Sequence, residues 1–249
     1  MESVSLPSGL QRSSHRPRLP DGLRIYAISD IHGCADLLQQ MFSVIDNDLR
    51  NIGSRRALHV FMGDYIDRGP DSFQTIELLI DRARKHETIF LKGNHEALLL
   101  GSMGSPEAFQ VWRKCGGIST LFSYGLRPTI KPERDEGLEL VAELQAKIPA
   151  HHRKFYECLR PRFACGGFFF VHAGVRPGVA LSNQTEEDML WIREEFLQHE
   201  RPFEKYIIHG HTPVRQPDIR INRANIDTGA YATGNLTLLS IQDSSLLAI

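Results

Sequence analysis

The chain has 249 residues, of which 41% are hydrophobic, and its net charge is −1. This length suits one sizeable domain, or one domain with an inserted subregion. The near-neutral charge does not indicate a nucleic-acid partner, and no apolar stretch approaches the roughly 18 residues of a membrane helix. Because the first residues also lack the apolar centre of a signal peptide, we expect a cytoplasmic protein with no membrane partner.

The beginning of the chain differs in composition from the rest. Residues 1–20 contain three prolines and five serines and show little apolar periodicity, which predicts a flexible tail. A single domain is expected to follow over residues 21–249.

The first third of this domain alternates between two apolar patterns. Runs with strand character lie at Arg24–Ser29, Ala57–Met62 and Thr88–Lys92. Between them, Asp36–Arg50 and Ser72–Arg84 carry apolar residues at helical spacing. The predicted order is therefore β-α-β-α-β, in which parallel neighbours deliver their loops to a common rim.

The strand pattern fades between residues 97 and 162, which are predicted to form a mainly helical insertion. The run His151–Lys154 inside it is interpreted as a solvated helix face. Strands resume at Phe168–Val171, Tyr206–Ile208, Asn225–Asp227 and Leu236–Ile241. We expect these strands to form a second sheet packed against the first, in an α/β fold.

Five short segments with Asp, His or Asn beside glycine follow or end the predicted strands. They are Ser29–Gly33, Gly63–Gly69, Gly93–Glu96, His172–Gly174 and His209–Thr212. Residues just past the carboxyl ends of strands in an open α/β sheet share one crevice, even when they are far apart in sequence. Glycine lets the chain turn sharply and approach a ligand closely. The pattern therefore predicts a cluster of oxygen and nitrogen donors at one edge.

Carboxylate, imidazole and carboxamide donors together suit two divalent ions such as Mn²⁺, Fe²⁺ or Zn²⁺. We predict that Asp64 bridges the two ions, with Asp30 and His32 completing the ligands of one of them. The ligands predicted for the other ion are Asn94, His172 and His211. His209 is a weaker candidate, because it can simply flank the site.

Two such ions would convert a bridging water into a hydroxide that attacks phosphorus directly, without a covalent phosphoenzyme. His95 lies beside ligand Asn94 and is predicted to protonate the leaving oxygen, while Asp67 orients it. Arg68 and Arg193, together with Asn94, are predicted to contact the phosphate. The residues thus predict a two-metal hydrolase that acts on phosphate esters.

Each segment also has an ordinary interpretation when it is taken alone. Asp-x-His and Asn-His can cap helices, and the Gly63–Gly69 segment can be a turn with a local ion pair. A binding module without turnover, or a metal-dependent nuclease, stays open as an alternative. Chance placement of all five segments at strand ends is much less probable than any single coincidence.

The four cysteines are scattered without a Cys-x-x-Cys pair, which predicts ordinary reduced thiols. Cys34 is the exception, because it lies two residues after His32. A metal-rich environment at that position would lower the pKa of its thiol.

The motifs Ser29–Gly33, Gly63–Gly69, Gly93–Glu96, His172–Gly174 and Gly210–Pro213 resemble those of the calcineurin-like metallophosphoesterases. Within that superfamily the chain is most similar to the bacterial and phage serine/threonine phosphoprotein phosphatases. The resemblance implies a central β-sandwich flanked by helices, two metals that are often manganese in bacterial members, and a phosphoprotein or small phosphorylated substrate, with phosphotyrosine as a further target. By the same likeness, His95 is the acid and Arg193 contacts substrate.

The chain also resembles the symmetrical diadenosine tetraphosphate hydrolases, which share the same scaffold and have a sequence similar to Arg68–Ser72. Hydrolysis of dinucleoside polyphosphates is therefore the alternative function. Asp67 and Glu96 favour the phosphatase, because those hydrolases tend to carry asparagine and aspartate at the corresponding positions.

Overall fold

Two five-stranded sheets form the centre of the computed structural model, which describes residues 16–51, 53, 56–128 and 134–249. The strands are β1 (Leu23–Ile28), β2 (Arg56–Phe61), β3 (Thr88–Phe90), β4 (Arg162–Cys165), β5 (Phe168–Val171), β6 (Tyr206–His209), β7 (Asp218–Ile219), β8 (Arg223–Asn225), β9 (Leu238–Gln242) and β10 (Ser245–Ala248). The first sheet has the order β10-β9-β1-β2-β3 and the second has the order β4-β5-β6-β8-β7. In the first sheet β1, β2 and β3 are parallel, and in the second sheet β5, β6 and β8 are parallel.

Helices cover the outer faces of the sheets. They are α1 (Ala35–Leu49), α2 (Ser72–Lys85), α3 (Asn94–Ser102), α4 (Pro106–Trp112), α5 (Ile118–Ser123), α6 (Arg134–Lys147), α7 (Ala150–Glu157), α8 (Glu186–Trp191), α9 (Glu194–Leu197) and α10 (Ala230–Thr233). A short π-helical stretch, Arg113–Gly117, joins α4 to α5. None of the helices in the described part of the chain is long and apolar enough to cross a bilayer.

The alternation of side chains along β1 explains why both faces of the first sheet are covered. Ile25 and Ala27 point toward the second sheet, where they pack in one core with residues such as Phe170. Tyr26 and Ile28 point the other way, into a core shared with α1, α2 and the helical segment. The first sheet is therefore buried on both sides, as parallel sheets generally are.

The predicted β-α-β-α-β order and the second sheet are confirmed, and so is the sandwich flanked by helices. Helices in the predicted insertion extend from α3 to α7 within the described residues. Strands β4, β7 and β10 were not predicted. All three are short antiparallel strands of two to four residues at sheet edges.

Packing of the chain onto the domain begins before the predicted boundary at residue 21. Pro17 and Leu19 are buried. The amide of Leu19 donates to the carbonyl of Asp243, and the amide of Gly167 donates to the carbonyl of Arg18. Residues 17–20 are thus part of the folded body, while the rest of the predicted tail, residues 1–15, lies outside the described residues.

Candidate metal centre

Asp64 lies at the centre of the predicted ligands. It follows β2, and its Oδ2 is 3.5 Å from Nε2 of His32, while its Oδ1 is 3.5 Å from Nε2 of His172. His211 belongs to the same cluster, with its ligand atom within 4.8 Å of those of Asp64 and His172. The carboxylate therefore faces an imidazole on each side, as a residue that bridges two ions would.

Backbone carbonyls fix the orientation of two of these imidazoles. Nδ1 of His32 lies 2.9 Å from the carbonyl oxygen of Ile66, and Nδ1 of His172 lies 2.9 Å from that of Met62. Because a carbonyl only accepts, each Nδ1 carries the hydrogen and each Nε2 presents its lone pair to Asp64. Such an anchored imidazole is typical of a metal ligand.

Further lone pairs converge on the other side of Asp64. Oδ1 of Asn94, the first residue of α3, is 2.9 Å from Nε2 of His172 and 2.8 Å from Nδ1 of His211. Burial lowers the pKa of His172, and it lowers the pKa of His211 to about 2. Neutral His172 therefore directs a lone pair at the amide oxygen, and a shared cation would make that arrangement favourable.

Asp30 stands beside these residues at the end of β1. Its Oδ2 accepts from the amide of His211 at 3.0 Å. Its Oδ1, like Nε2 of His211, is a buried atom without a hydrogen-bond partner among the described residues. Burial, with Asp227 and Asp64 nearby, raises the pKa of Asp30 well above its ordinary value. An unpaired buried carboxylate is costly, so this donor set fits divalent metal ions.

Close backbone approach makes this cluster possible. A Cβ on Gly93 would lie 2.1 Å from Oδ1 of Asp64, and one on Gly210 would lie 2.1 Å from Oδ1 of Asp30. Only glycine fits at either position. The backbone is also unusual at the donors themselves, because His32, Asp64 and His211 all have positive φ. Such conformations are strained for residues other than glycine and concentrate at functional sites.

His95 and Asp67 form a buried pair next to the donors. Nδ1 of His95 lies 2.7 Å from Oδ2 of Asp67, while its Nε2 lies 3.9 Å from Oδ2 of Asp64. The indole of Trp112 donates to Oδ2 of Asp67 at 2.8 Å, and the hydroxyl of Thr120 donates to Oδ1 at 2.6 Å. The helical segment therefore fixes the carboxylate that orients His95.

Burial and the neighbouring carboxylates shift the pKa of His95 in opposite directions. Burial lowers the pKa of His95, but the carboxylates of Asp64 and Asp67 outweigh it, so that the pKa is raised above its ordinary value. Burial lowers the pKa of His32 to about 3. Within one cluster, His95 thus retains a proton most readily, while His32 stays neutral.

Comparison with known proteins identifies the family. Residues 23–239 match the family model of the calcineurin-like phosphoesterases, which covers most of the chain. The chain belongs to this family.

Relatives in this family carry two kinds of name. The chain is 27% identical to a bis(5'-nucleosyl)-tetraphosphatase PrpE [asymmetrical] of Anoxybacillus flavithermus, over 89% of this chain and 92% of that protein. It is 29% identical to serine/threonine-protein phosphatase 1 of Salmonella typhimurium, over 88% of this chain and 92% of that protein. The dinucleotide hydrolase is named asymmetrical, whereas the sequence had suggested the symmetrical kind as the alternative.

A solved structure supports the fold. A mutant of a cold-active protein tyrosine phosphatase superimposes with a TM-score of 0.59 at 14% identity, over the whole of this chain and 88% of that one. Calcineurin-like phosphoesterases use a centre of two divalent ions, and the clustered His and Asp residues fit such a centre here.

The two predicted arginines lie exposed beside the donors of this phosphoesterase. Nη1 of Arg68 is 3.2 Å from Nε2 of His32, and its guanidinium lies 4.9 Å from the ring centre of Tyr231. Nη1 of Arg193 donates to the hydroxyl of Thr212 at 3.2 Å. His209 is buried against Phe196 and lies outside the His/Asp groups found in the described residues.

Sequence reasoning missed the structural role of Glu96. Its Oε2 accepts from the amides of Asp64 and Gly93, both at 2.9 Å, and its Oε1 accepts from the amide of Tyr65 at 2.8 Å. Glutamate three residues after the N-cap Gly93 is a capping-box pattern, and this signal could have revealed it. Glu96 thereby holds the strained turn that presents Asp64.

Asp227 and Tyr231 were also missed as parts of the site. Asp227 is buried close to Asp30, and burial raises its pKa to about 6. Tyr231 packs edge-on against His32 at 5.3 Å between ring centres. The sequence predicted a strand at Asn225–Asp227, whereas β8 ends at Asn225, so that Asp227 and Tyr231 both follow it.

The surroundings of Cys34 oppose the expected low pKa of its thiol. The thiol is buried, and burial, with Asp36 and Asp71 nearby, raises its pKa to about 11. Its sulfur is directed to the carbonyl of His32 at 3.6 Å rather than toward the donors. Cys34 is therefore a buried neutral thiol.

Proposed function

We propose that this calcineurin-like phosphoesterase is a phosphomonoesterase that acts on phosphoserine or phosphothreonine, and also on phosphotyrosine, with Mn²⁺ as the metal and Fe²⁺ or Zn²⁺ as alternatives. The observation that supports this proposal is the buried pair of His95 and Asp67. Such a pair is suited to donate a proton to a strongly basic leaving oxygen.

The leaving group distinguishes the two candidate substrates. Serine and threonine leave as alkoxides, which are about as basic as the hydroxide of water with its pKa of ≈ 15.7, and they need a proton donor. A nucleotide leaves from a dinucleoside tetraphosphate through a phosphate whose pKa is about 6, so it departs without one. A site in which a buried carboxylate holds an imidazole in place therefore favours the phosphomonoester.

Each residue has a role in this proposal. Asp30, His32, Asp64, Asn94, His172 and His211 would hold the two ions. Bound metal supplies the activation of a water and the neutralisation of phosphoryl charge. Arg68 and Arg193 bind the nonbridging oxygens of the phosphate from the solvent side, as guanidinium groups do. His95, oriented through its Nδ1–H by Asp67, donates the proton on Nε2 to the leaving oxygen.

Hydrolysis of dinucleoside tetraphosphates is the second candidate function. It is supported by the name of the Anoxybacillus flavithermus relative. Turnover of a phosphoserine peptide and of diadenosine tetraphosphate, measured side by side with Mn²⁺, separates the two functions. We expect the larger kcat/KM for the peptide. Turnover of the dinucleotide alone would overturn the proposed substrate class.

The His95→Gln variant tests the proton donor. We expect kcat on the phosphoserine peptide to fall by about 10²–10⁴-fold. On p-nitrophenyl phosphate, whose leaving group is much less basic, the loss should be far smaller. His86→Gln, a partly buried histidine of the same chain away from the cluster, is the matched control. Equal losses on both substrates, with unchanged metal content, would contradict the role of His95 as an acid.

A further inference from the structure

A second group of metal-binding side chains lies between α2 and α7, apart from the donors around Asp64. Oε1 of Glu77 on α2 is 2.7 Å from Nε2 of His151 and 3.0 Å from Nε2 of His152. The three ligand atoms lie within 4.8 Å of one another. Two imidazoles and one carboxylate are thus already gathered at one point.

The surroundings of His152 differ from the solvated helix face that the sequence suggested. Its side chain is fully buried, and its Nδ1 lies 2.7 Å from the hydroxyl of Tyr124, which lies 3.1 Å from the hydroxyl of Tyr156. The ring of Phe73 packs against it at 4.8 Å between centres. One ligand is therefore held rigidly from behind by polar partners, as metal-bound histidines are.

The other two side chains of this group, those of His151 and Glu77, are partly exposed to solvent. The side chain of His151 is 46% exposed and that of Glu77 is 31% exposed. An ion can therefore reach the fixed ring of His152 from outside without passing through the protein core. An entry path of this kind is one requirement of a working metal site.

The protonation states also suit metal binding. The hydrogen bond from His151 lowers the pKa of Glu77, and burial lowers the pKa of His152. Without metal, Nε2–H of His152 donates to Glu77, and the Tyr124 hydroxyl donates to Nδ1. With metal on Nε2 the ring would carry its hydrogen on Nδ1 and donate it to the hydroxyl of Tyr124, which could then turn to Tyr156. The buried ring would change tautomer without losing a proton.

We propose that Glu77, His151 and His152 form a third metal site, which binds Zn²⁺ with two imidazoles, one carboxylate and a fourth position open to water. This ligand set is typical of four-coordinate zinc, and the imidazoles favour Zn²⁺ over Mg²⁺ or Ca²⁺. A bound ion would join α7 of the helical segment to α2, which follows the Gly63–Gly69 turn. The site does not depend on the proposed function.

Metal counting tests this site without any substrate. Wild-type protein, Glu77→Gln and His151→Ala are loaded with Mn²⁺, dialysed against Zn²⁺ alone and analysed for both metals. We expect the wild type to retain one more ion per chain than either variant, and Zn²⁺ affinity at this site to fall at least about tenfold in the variants. His199→Ala, a partly buried histidine far from the group, should keep the wild-type count.

Two further readouts use the same proteins. The Co²⁺ difference spectrum of wild type minus Glu77→Gln should show the intense bands of a tetrahedral site, and Zn²⁺ should raise the melting temperature of the wild type more than that of either variant. Both substitutions lie at partly exposed positions, so folded protein is expected. Equal metal counts in the wild type and both variants, or no Co²⁺ difference, would overturn the proposal and leave only an ion pair.

Discussion

At the scale of single residues, the candidate site is held by groups that never touch the predicted ions. Glu96 is the clearest case, because its carboxylate accepts from the amides of Asp64 and Tyr65 in the turn that presents Asp64, and from the amide of Gly93 at the start of its own helix. The turn contains positive φ at Asp64, a conformation that the chain does not adopt without compensation. The predicted ligand Asp64 therefore depends on the carboxylate of Glu96 beneath it.

Replacing Glu96 by glutamine tests this support. Glutamine directs an amide donor toward a backbone N–H in place of one carboxylate oxygen, so at least one buried amide loses its acceptor. We expect the free energy of unfolding to fall by about 1.5–3 kcal/mol in urea denaturation, together with weaker metal binding. Glu157→Gln, at an exposed position of α7, is the control. A change within about 0.5 kcal/mol for Glu96→Gln would show that the carboxylate is dispensable.

At the scale of elements, the apolar periodicity of the sequence predicted the main helices and strands. The boundaries of α1 and α2 and the strands β1, β2 and β5 agree with the structure to within one or two residues. The convergence of the first three segments also follows, because β1, β2 and β3 are parallel and end at one edge, and that of the last two follows because β5 and β6 are parallel in the second sheet. Glycine-flanked donors after parallel strands are a local pattern with a fixed spatial consequence.

Contacts between elements could not be predicted from the sequence. Trp112 and Thr120 reach Asp67 across 45 and 53 residues, from helices in a segment without a readable motif. The burial of His152 likewise depends on how α7 lies against α2 and Tyr124, since the run of charged residues around it is typical of an exposed face. Periodicity shows that a helix has an apolar face, and it does not show which neighbour covers that face.

At the scale of the whole molecule, buried neutral histidines make stability depend on pH. His59 on β2 is fully buried, accepts from Nε of Arg82 at 3.2 Å and packs beside His86. Burial lowers its pKa to about 3. In the unfolded chain the pKa is ~6.5, so between these two values the unfolded state binds a proton that the folded state does not. Stability is therefore present above pH ~6.5 and falls as the pH drops below it.

The His59→Gln variant isolates this contribution, because glutamine offers an acceptor to Arg82 and does not titrate. Below pH ~6.5, each proton that the unfolded state binds and the folded state does not bind lowers the free energy of unfolding by about 1.4 kcal/mol per pH unit. We expect the free energy of unfolding of the wild type to fall more steeply than that of the variant between about pH 6 and 4, by up to this amount per unit. Urea denaturation across that range measures both slopes, and parallel curves would refute the assignment.

The central claim of this account is that a pair of divalent ions lies on either side of Asp64. Anomalous diffraction at the manganese edge, from crystals grown with Mn²⁺, tests it most directly. The account predicts two peaks per chain, one next to His32 and Asp64 and the other next to Asn94, His172 and His211. Crystals that diffract well and show no peak within bonding distance of Asp64 would contradict it.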